Sequence, residues 1–306
     1  MPADYSGFQK NRKSKMIIVK LMGGLGNQMF QYALGRRLSL DRQVQLKLDL
    51  SWYEAQTERV YQLNHFMIDA SLSDLSVPQY HTHIINTDFK SRLFRLEQRL
   101  LPYKHRRWIN ENGYGFNPNI LKVKSNIYLT GYWQSEKYFL PIEKIIREDF
   151  KLKENLHSTN QCLAKQIQSC RAVSIHVRRG DYLDSRFRHY YFHCDTSYYK
   201  KGMEIILHKY PDSHFFVFSD DLEWVKQNLP SDDNIFYIEN NDLKYDWESI
   251  YLMSLCKHHI IANSSFSWWG AWLNENPEKI VIAPSRWYAS PKDSSADIIP
   301  EKWIKI

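Results

Sequence analysis

A chain of 306 residues, 43% hydrophobic and 25% charged with only 11 glycines and 11 prolines, is long enough for one large domain or two ordinary ones. Its composition excludes disordered, collagen-like and low-complexity classes. Lys and Arg outnumber Asp and Glu 41 to 34, a formal charge of +7 that favours anionic partners without naming one.

The first 15 residues, polar and basic, read as a flexible lead-in. Apolar Met16 to Leu21 predicts a buried strand ending at glycines, Asn27 to about Leu40 a helix, and Val44 to Leu48 a second strand, together one βαβ unit. Between Trp52 and Tyr128 only a helix at about Phe89 to Leu101 is legible, and Glu136 to Phe150 reads as an amphipathic helix. The second half alternates with strands at Ala172 to Val177, His214 to Phe218, Ile235 to Ile238, His259 to Ala262 and Ile280 to Ala283. The helices between them lie at Ser197 to Tyr210, Leu222 to Leu229, Trp247 to Cys256 and Ser267 to Leu273. That is the pattern of an α/β protein with parallel sheets. A polar stretch near Lys151 to Gln161 suggests two Rossmann-like lobes facing a cleft, an amino-terminal lobe over 16–155 and a carboxyl-terminal lobe over 156–306.

No apolar run reaches the roughly 18 residues of a membrane-spanning helix, and the amino terminus lacks the apolar stretch of a secretory signal, so the chain reads as cytosolic. Cys162, Cys170, Cys194 and Cys256 have no CxxC spacing and are expected to be reduced and mostly buried. The aromatic fraction, 15% with 10 Trp and 20 Tyr, suits a sugar-lined cleft as well as an aromatic core.

Ligands of open parallel sheets collect beyond the carboxyl ends of the strands. There the second half carries His176-Val-Arg178-Arg179-Gly180-Asp181-Tyr182, then Ser219-Asp220-Asp221, then Asn263-Ser264-Ser265-Phe266-Ser267. Arg178 and Arg179 offer planar cationic forks for a pyrophosphate, and Ser264, Ser265 and the helix start add neutral donors. The competing reading is structural: the arginines pair with Asp181, and the serines cap a helix. One of Asp220 and Asp221 would cap the helix at Leu222 and the other stay available to a nucleoside. In the first half, Gly23-Gly24-Leu25-Gly26-Asn27-Gln28 and the later Asp49 resemble a dinucleotide loop and its ribose acid, but Met29 stands where the third glycine belongs. Gly24, Gly26, Asn27 and Gln28 could instead meet a sugar. No Asp-x-Asp occurs, and His189, His193 and Cys194 lack a zincin glutamate, so no metal is expected. His81, His83, His258 and His259 read as ordinary structural histidines.

The pieces GGLGNQMFQYALG (Gly23 to Gly35), HVRRGDY (His176 to Tyr182), FSDDLEWVK (Phe218 to Lys226) and NSSFSWWGAWL (Asn263 to Leu273) resemble, in order, the α-1,2-fucosyltransferase family, inverting enzymes that move L-fucose from GDP-fucose to galactose. The resemblance implies a GT-B-like fold, GDP-fucose in the carboxyl-terminal lobe, and no metal or other cofactor. It implies Arg178 on the pyrophosphate with Arg179 beside it, and His176 near the nucleotide. Asp220 or Asp221 would reach guanosine, Ser264 or Ser265 phosphate, and Asp181 would be the general base or an orienter of the arginines. The acceptor would be a galactose-terminated oligosaccharide, free or lipid-linked, of an O-antigen or other surface polysaccharide, with no nucleic acid as partner. The alternatives are an NAD-dependent oxidoreductase using Gly23 to Gly26, a nucleic-acid binder, and a non-catalytic glycan-binding protein.

Finally, Lys90 to Arg107 sets seven cations against Glu97 alone. Phe89, Leu93, Leu96 and Leu100 fall on one helical stripe with Arg92, Arg95 and Arg99 along its flank. The preferred reading packs this stripe onto the amino-terminal lobe; the other is peripheral contact with an anionic membrane at its inner face.

Overall fold

A computed structural model describes residues 15–55, 58–73, 87–180, 190–230, 232–239, 245–290 and 297–306. The lead-in up to residue 14, Asp181, His81, His83 and His189 lie outside them.

In the first half, β1 (Met16–Lys20) and β2 (Gln45–Asp49) flank α1 (Leu25–Arg42); α2 (Ser51–Glu54) and β3 (Ser71–Leu72) follow. Then come α3 (Phe89–Leu100), β4 (Trp108–Asn110), β5 (Ile127–Thr130) and α4 (Glu143–Asp149). The strands form one parallel sheet, order β3-β2-β1-β5-β4. Gly23 makes the turn out of β1 at φ 78, a conformation that a side chain resists. The helix read over Glu136 to Phe150 is broken. Two 3-10 turns, Glu136–Tyr138 and Leu140–Ile142, precede α4, because Pro141 has no N–H to continue a helix.

The second half runs α5 (Ser158–Gln168), β6 (Arg171–Val177), α6 (Thr196–Lys209), β7 (Ser213–Ser219), α7 (Leu222–Asn228) and β8 (Ile235–Ile238). It continues with α8 (Asp246–Leu255), β9 (His258–Ile260), α9 (Ser265–Leu273), β10 (Val281–Ala283) and β11 (Ile304–Lys305). This sheet is parallel, order β11-β10-β9-β6-β7-β8. Alternation along the strands sorts the core onto two faces. Val173, Ile175, Val177, Phe215 and Val217 pack with Tyr199, Met203 and Val225; Ala172, Phe216 and Phe218 pack with Ile167, Leu252 and Met253 on the other side.

The largest core does not divide where the sheets divide. It joins Ile17, Phe30 and Leu34 to Trp268, Trp269 and Trp272 of α9, and to Ile298, Ile299 and Trp303. The Phe30 ring lies 4.5 Å from Trp268 and 5.0 Å from Trp269, and Trp269 Nε1 donates to the Gly26 carbonyl at 3.0 Å. Polar ties reinforce the seam: Lys137 to Asp297 at 2.6 Å, Trp272 Nε1 to Glu136 at 3.0 Å, and the Arg147 guanidinium stacked over Trp272.

Two further expectations are corrected. The four cysteines are free, but only Cys256 is buried. And α3 turns its apolar stripe outward, burying Ser91 and Gln98 instead.

Candidate active site

Whole-length pairing of β6 with β7 sets His176 beside Phe218 and Val177 beside Ser219, so the residues after the two strands meet. Asp220 accepts from Arg178 Nη1 at 3.0 Å and from the backbone N–H groups of Arg179 and Gly180 at 2.9 and 3.0 Å. It clamps the arginine turn and also lines the cleft. Gly180 makes that clamp possible, since a Cβ there would come within 2.8 Å of Asp220 Oδ2. Asp221 caps α7 by accepting from Trp224 N at 3.1 Å, and it also takes Arg179 Nε at 3.2 Å. With its guanidinium over the Trp224 ring, Arg179 is committed to this structural pairing, and it is absent from the cleft lining, as Asp221 is.

His176 is buried and its Nδ1 lies 2.9 Å from Ser267 Oγ. Burial, helped by the nearby Arg178 charge, lowers its pKa to about 3, so the imidazole is neutral at physiological pH. Ser264 caps α9 through Phe266 N, and Ser265 Oγ donates to Asn27 Oδ1 at 2.9 Å. That bond joins the starts of α1 and α9. Gly26 is required there, because a Cβ would lie 2.5 Å from the Ser265 carbonyl carbon. Two positive helix ends therefore converge beside Arg178, a like-signed arrangement that an anion relieves.

Gln28, expected to face a sugar, is fully buried instead. Its amide donates to the Val60 carbonyl at 2.8 Å and accepts from Gln62 N at 3.0 Å, holding the segment that carries Arg59. The dinucleotide reading fails at two points: α9 closes over Gly26, and buried Asp49 is occupied by the Tyr128 hydroxyl and Ser51 N.

A cleft of about 250 Å³ opens between the sheets. Of the expected site residues it is lined by Gly24, Gly26, Asn27, His176, Arg178, Asp220, Ser264 and Ser265. Two contacts fix how the strand ends face one another. The start of α1 meets the start of α9, and Tyr114, after edge strand β4, meets Tyr288, after β10, with ring centroids 4.3 Å apart. The cleft consequently has two unlike halves. Toward β7 and β8 it is ionic, with Arg178, Asp220 and Asp246 beside Phe218 and Ile238; Arg59, after β2, adds a further cation from the facing sheet. Toward β10 its described lining is neutral and aromatic, Tyr114, Tyr190, Tyr191, Trp287 and Tyr288.

The aromatic wall is rigidly built. Tyr191 and Tyr288 form an antiparallel bridge, and the buried Asn263 amide donates to the carbonyls of Phe192 and Trp287, both at 2.8 Å. Tyr190 and Tyr132 remain about two-fifths exposed. Across the cleft, Glu111 accepts from Tyr132 N at 2.6 Å and from Trp133 N at 3.1 Å, holding Trp133 at φ 55. Gln134 Nε2 donates to Asn27 at 2.7 Å. None of Arg59, Tyr114, Tyr132, Gln134 or Tyr190 was singled out by sequence. All but Tyr190 lie on loops between elements too short to show a period, and the high aromatic fraction bears on the three tyrosines alone.

Two parallel α/β lobes across a cleft are the architecture of the GT-B type. Glycosyl transferase family 11 matches residues 4–306, and the chain belongs to that family, in agreement with its fucosyltransferase motifs. It is 35% identical to the alpha-1,2-colitosyltransferase of Escherichia coli, over 95% of this chain and 99% of that protein. It is 31% identical to the O-antigen biosynthesis glycosyltransferase WbnK of the same species, over 94% and 99%. In fold it is similar to the alpha-1,6-fucosyltransferase NodZ of Bradyrhizobium, in crystals soaked with GDP-fucose, with a TM-score of 0.51 at 16% identity over 85% of this chain and 93% of that one. Among the described residues no helix is long and apolar enough to cross a membrane.

Proposed function

We propose that this glycosyltransferase moves L-fucose from GDP-β-L-fucose to the 2-hydroxyl of a terminal galactose, forming an α-1,2 linkage with inversion in the assembly of an O-antigen or related surface polysaccharide. The observation that carries the reading is the division of the cleft. A nucleoside diphosphate suits the ionic half, and a neutral glycan suits the aromatic half, where the C–H face of a pyranose can lie on Tyr190 or Tyr114. Arg178 and the converging helix ends stand where the halves join.

In the reaction the galactose O2 attacks the anomeric carbon and gives its proton to a carboxylate, assigned here to Asp181. The bond from that carbon to the β-phosphate oxygen breaks, and the charge growing on GDP is met by Arg178 and the α1 and α9 N–H groups. Neutral His176 is a hydrogen-bonding partner in this scheme. No metal takes part, since these groups supply the positive charge. The enzyme works in the cytoplasm on an acceptor that is carried on a lipid.

A second donor deserves the same assay, because a relative over nearly the whole chain is named a colitosyltransferase. Colitose lacks the 3-hydroxyl of fucose, and a site that hydrogen-bonds this group rejects the analogue by roughly 10⁴-fold or more. Initial rates with both GDP-sugars and a set of β-galactosides, in EDTA, test the proposal. GDP-fucose should be the better donor and Tyr190→Ala should raise acceptor KM with donor KM unchanged. Preference for GDP-colitose would reassign the donor, rates abolished by EDTA would refute the metal-free scheme, and no transfer to any galactoside would end the reading.

A further inference from the structure

Helix α3 is mounted back to front for a helix on a globular lobe. At about 100° per residue, Phe89, Leu93, Leu96 and Leu100 share an arc of about 60°, and they are 79%, 56%, 52% and 78% exposed. The residues half a turn away, Ser91 and Gln98, are the buried ones. What anchors the helix is polar and local: Asp88 accepts from Ser91 N at 2.8 Å, and Gln98 Oε1 accepts from Arg107 N at 2.6 Å and Trp108 N at 3.3 Å. Phe94 alone reaches the small core of Ile18, Trp108 and Tyr128. The stripe is therefore not consumed by folding, and a contiguous exposed apolar stripe of this kind marks an interaction surface.

We propose that α3 is a membrane-docking element whose apolar stripe enters the interfacial region of an anionic bilayer. Charge selects this occupant. Arg92 and Arg99 lie exposed along one flank of the stripe, with Lys90, Lys104 and Arg107 exposed on the same segment. Arg106 is excepted, since its guanidinium caps the helix through the carbonyls of Leu101 and Arg99 at 2.8 Å. A basic flank beside an inserted apolar face is the pattern of an interfacial helix. A second copy of this chain would bring the same cations against themselves across a two-fold axis, which opposes pairing.

Position gives the docking a use. The helix lies against β4 at the edge of its sheet, and the loop after β4 carries Tyr114 into the aromatic half of the cleft. That edge would face the lipid, so a glycan still attached to a membrane carrier meets the neutral half of the cleft first. The docking itself does not depend on which sugar is transferred.

Flotation of the whole protein with phosphatidylcholine vesicles, with and without phosphatidylglycerol, tests it at low and physiological salt. The wild type should rise with the anionic vesicles. Replacing Phe89, Leu93, Leu96 and Leu100 together by Ala should lower the bound fraction at least about tenfold, with melting temperature and activity on a soluble galactoside unchanged. Arg92→Glu with Arg99→Glu should abolish the preference for anionic lipid. The proposal is overturned if the wild type stays down with both vesicles or if the four-alanine variant floats like the wild type. It is also overturned if the wild type is a dimer that those alanines convert to monomer without any vesicle binding.

Discussion

Arg178 is held by the Asp220 carboxylate, which also accepts from two backbone N–H groups of the same turn. The guanidinium is thus held in place, as the proposed contact with a pyrophosphate requires of a charged donor. Arg178→Lys keeps the charge and loses the fork; it should lower kcat/KM on the order of 100-fold, about 3 kcal/mol. Asp220→Asn should cost at least about tenfold through misplacement of Arg178, and steady-state rates with circular dichroism as a folding control check both. Near-normal rates for Arg178→Lys would remove the arginine from the pyrophosphate. A second residue-scale expectation concerns acid. His176 at about 3, His258 at about 4 and His259, driven well down, are all lowered by burial. Between pH 6.5 and 4 the unfolded chain therefore binds protons that the folded one refuses. Stability should fall with pH across that window, by up to about 1.4 kcal/mol per pH unit for each buried histidine, and be independent of these groups above 6.5. Urea melts at stepped pH measure it. A His259→Gln variant with an undiminished slope would exclude His259, whose ring is held between Ser174 Oγ and Asn274 Nδ2, from this effect.

Elements that repeat a hydrophobic period over a full strand or helix were legible in the chain itself. The strand at Ile235–Ile238 matches its prediction to the residue, and α1, α6 and α9 differ only by a turn or less at their ends. The clustering of the β6, β7 and β9 loops at one cleft was legible too, because a parallel sheet sends its strand ends to one edge. What escaped reading has physical causes. Strands β3, β4 and β5 are two to four residues long, too short to display a period. The partner of Arg178 lies 42 positions away, chosen by strand register. A stripe of Phe and Leu states that a helix is amphipathic but not which way it is mounted, and α3 is held through Gln98, the Asp88 and Arg106 caps and Phe94. At the element scale the closest fit is between α1 and α9. Gly26→Ala would force its methyl into the Ser265 backbone, where no flexible side chain can yield. It should destabilise the protein by about 2 kcal/mol or more and widen the cleft, read as a lower melting temperature together with weaker GDP binding. A Gly26→Ala protein with wild-type melting and GDP affinity would show that the two helices separate freely.

For the molecule as a whole, one core serves both lobes. Tryptophans of α9 and the segment of Ile298, Ile299 and Trp303 are buried among residues of the first sheet and α1, so the first half does not retain its interior alone, although the second sheet keeps a core on each face. Calorimetry should accordingly record one cooperative transition whose van't Hoff and calorimetric enthalpies agree, where two independent lobes would give two. Two resolved transitions would mean that the seam is weaker than its tryptophan packing suggests. The shared interior also decides what can be recombined among related enzymes. An exchange cut between the two sheets would sever α9 from its packing partners and leave Phe30 facing a foreign surface. A workable chimera has to carry α9 and residues 298–303 along with the first lobe that they complete, so the exchangeable form of that lobe is discontinuous in the gene.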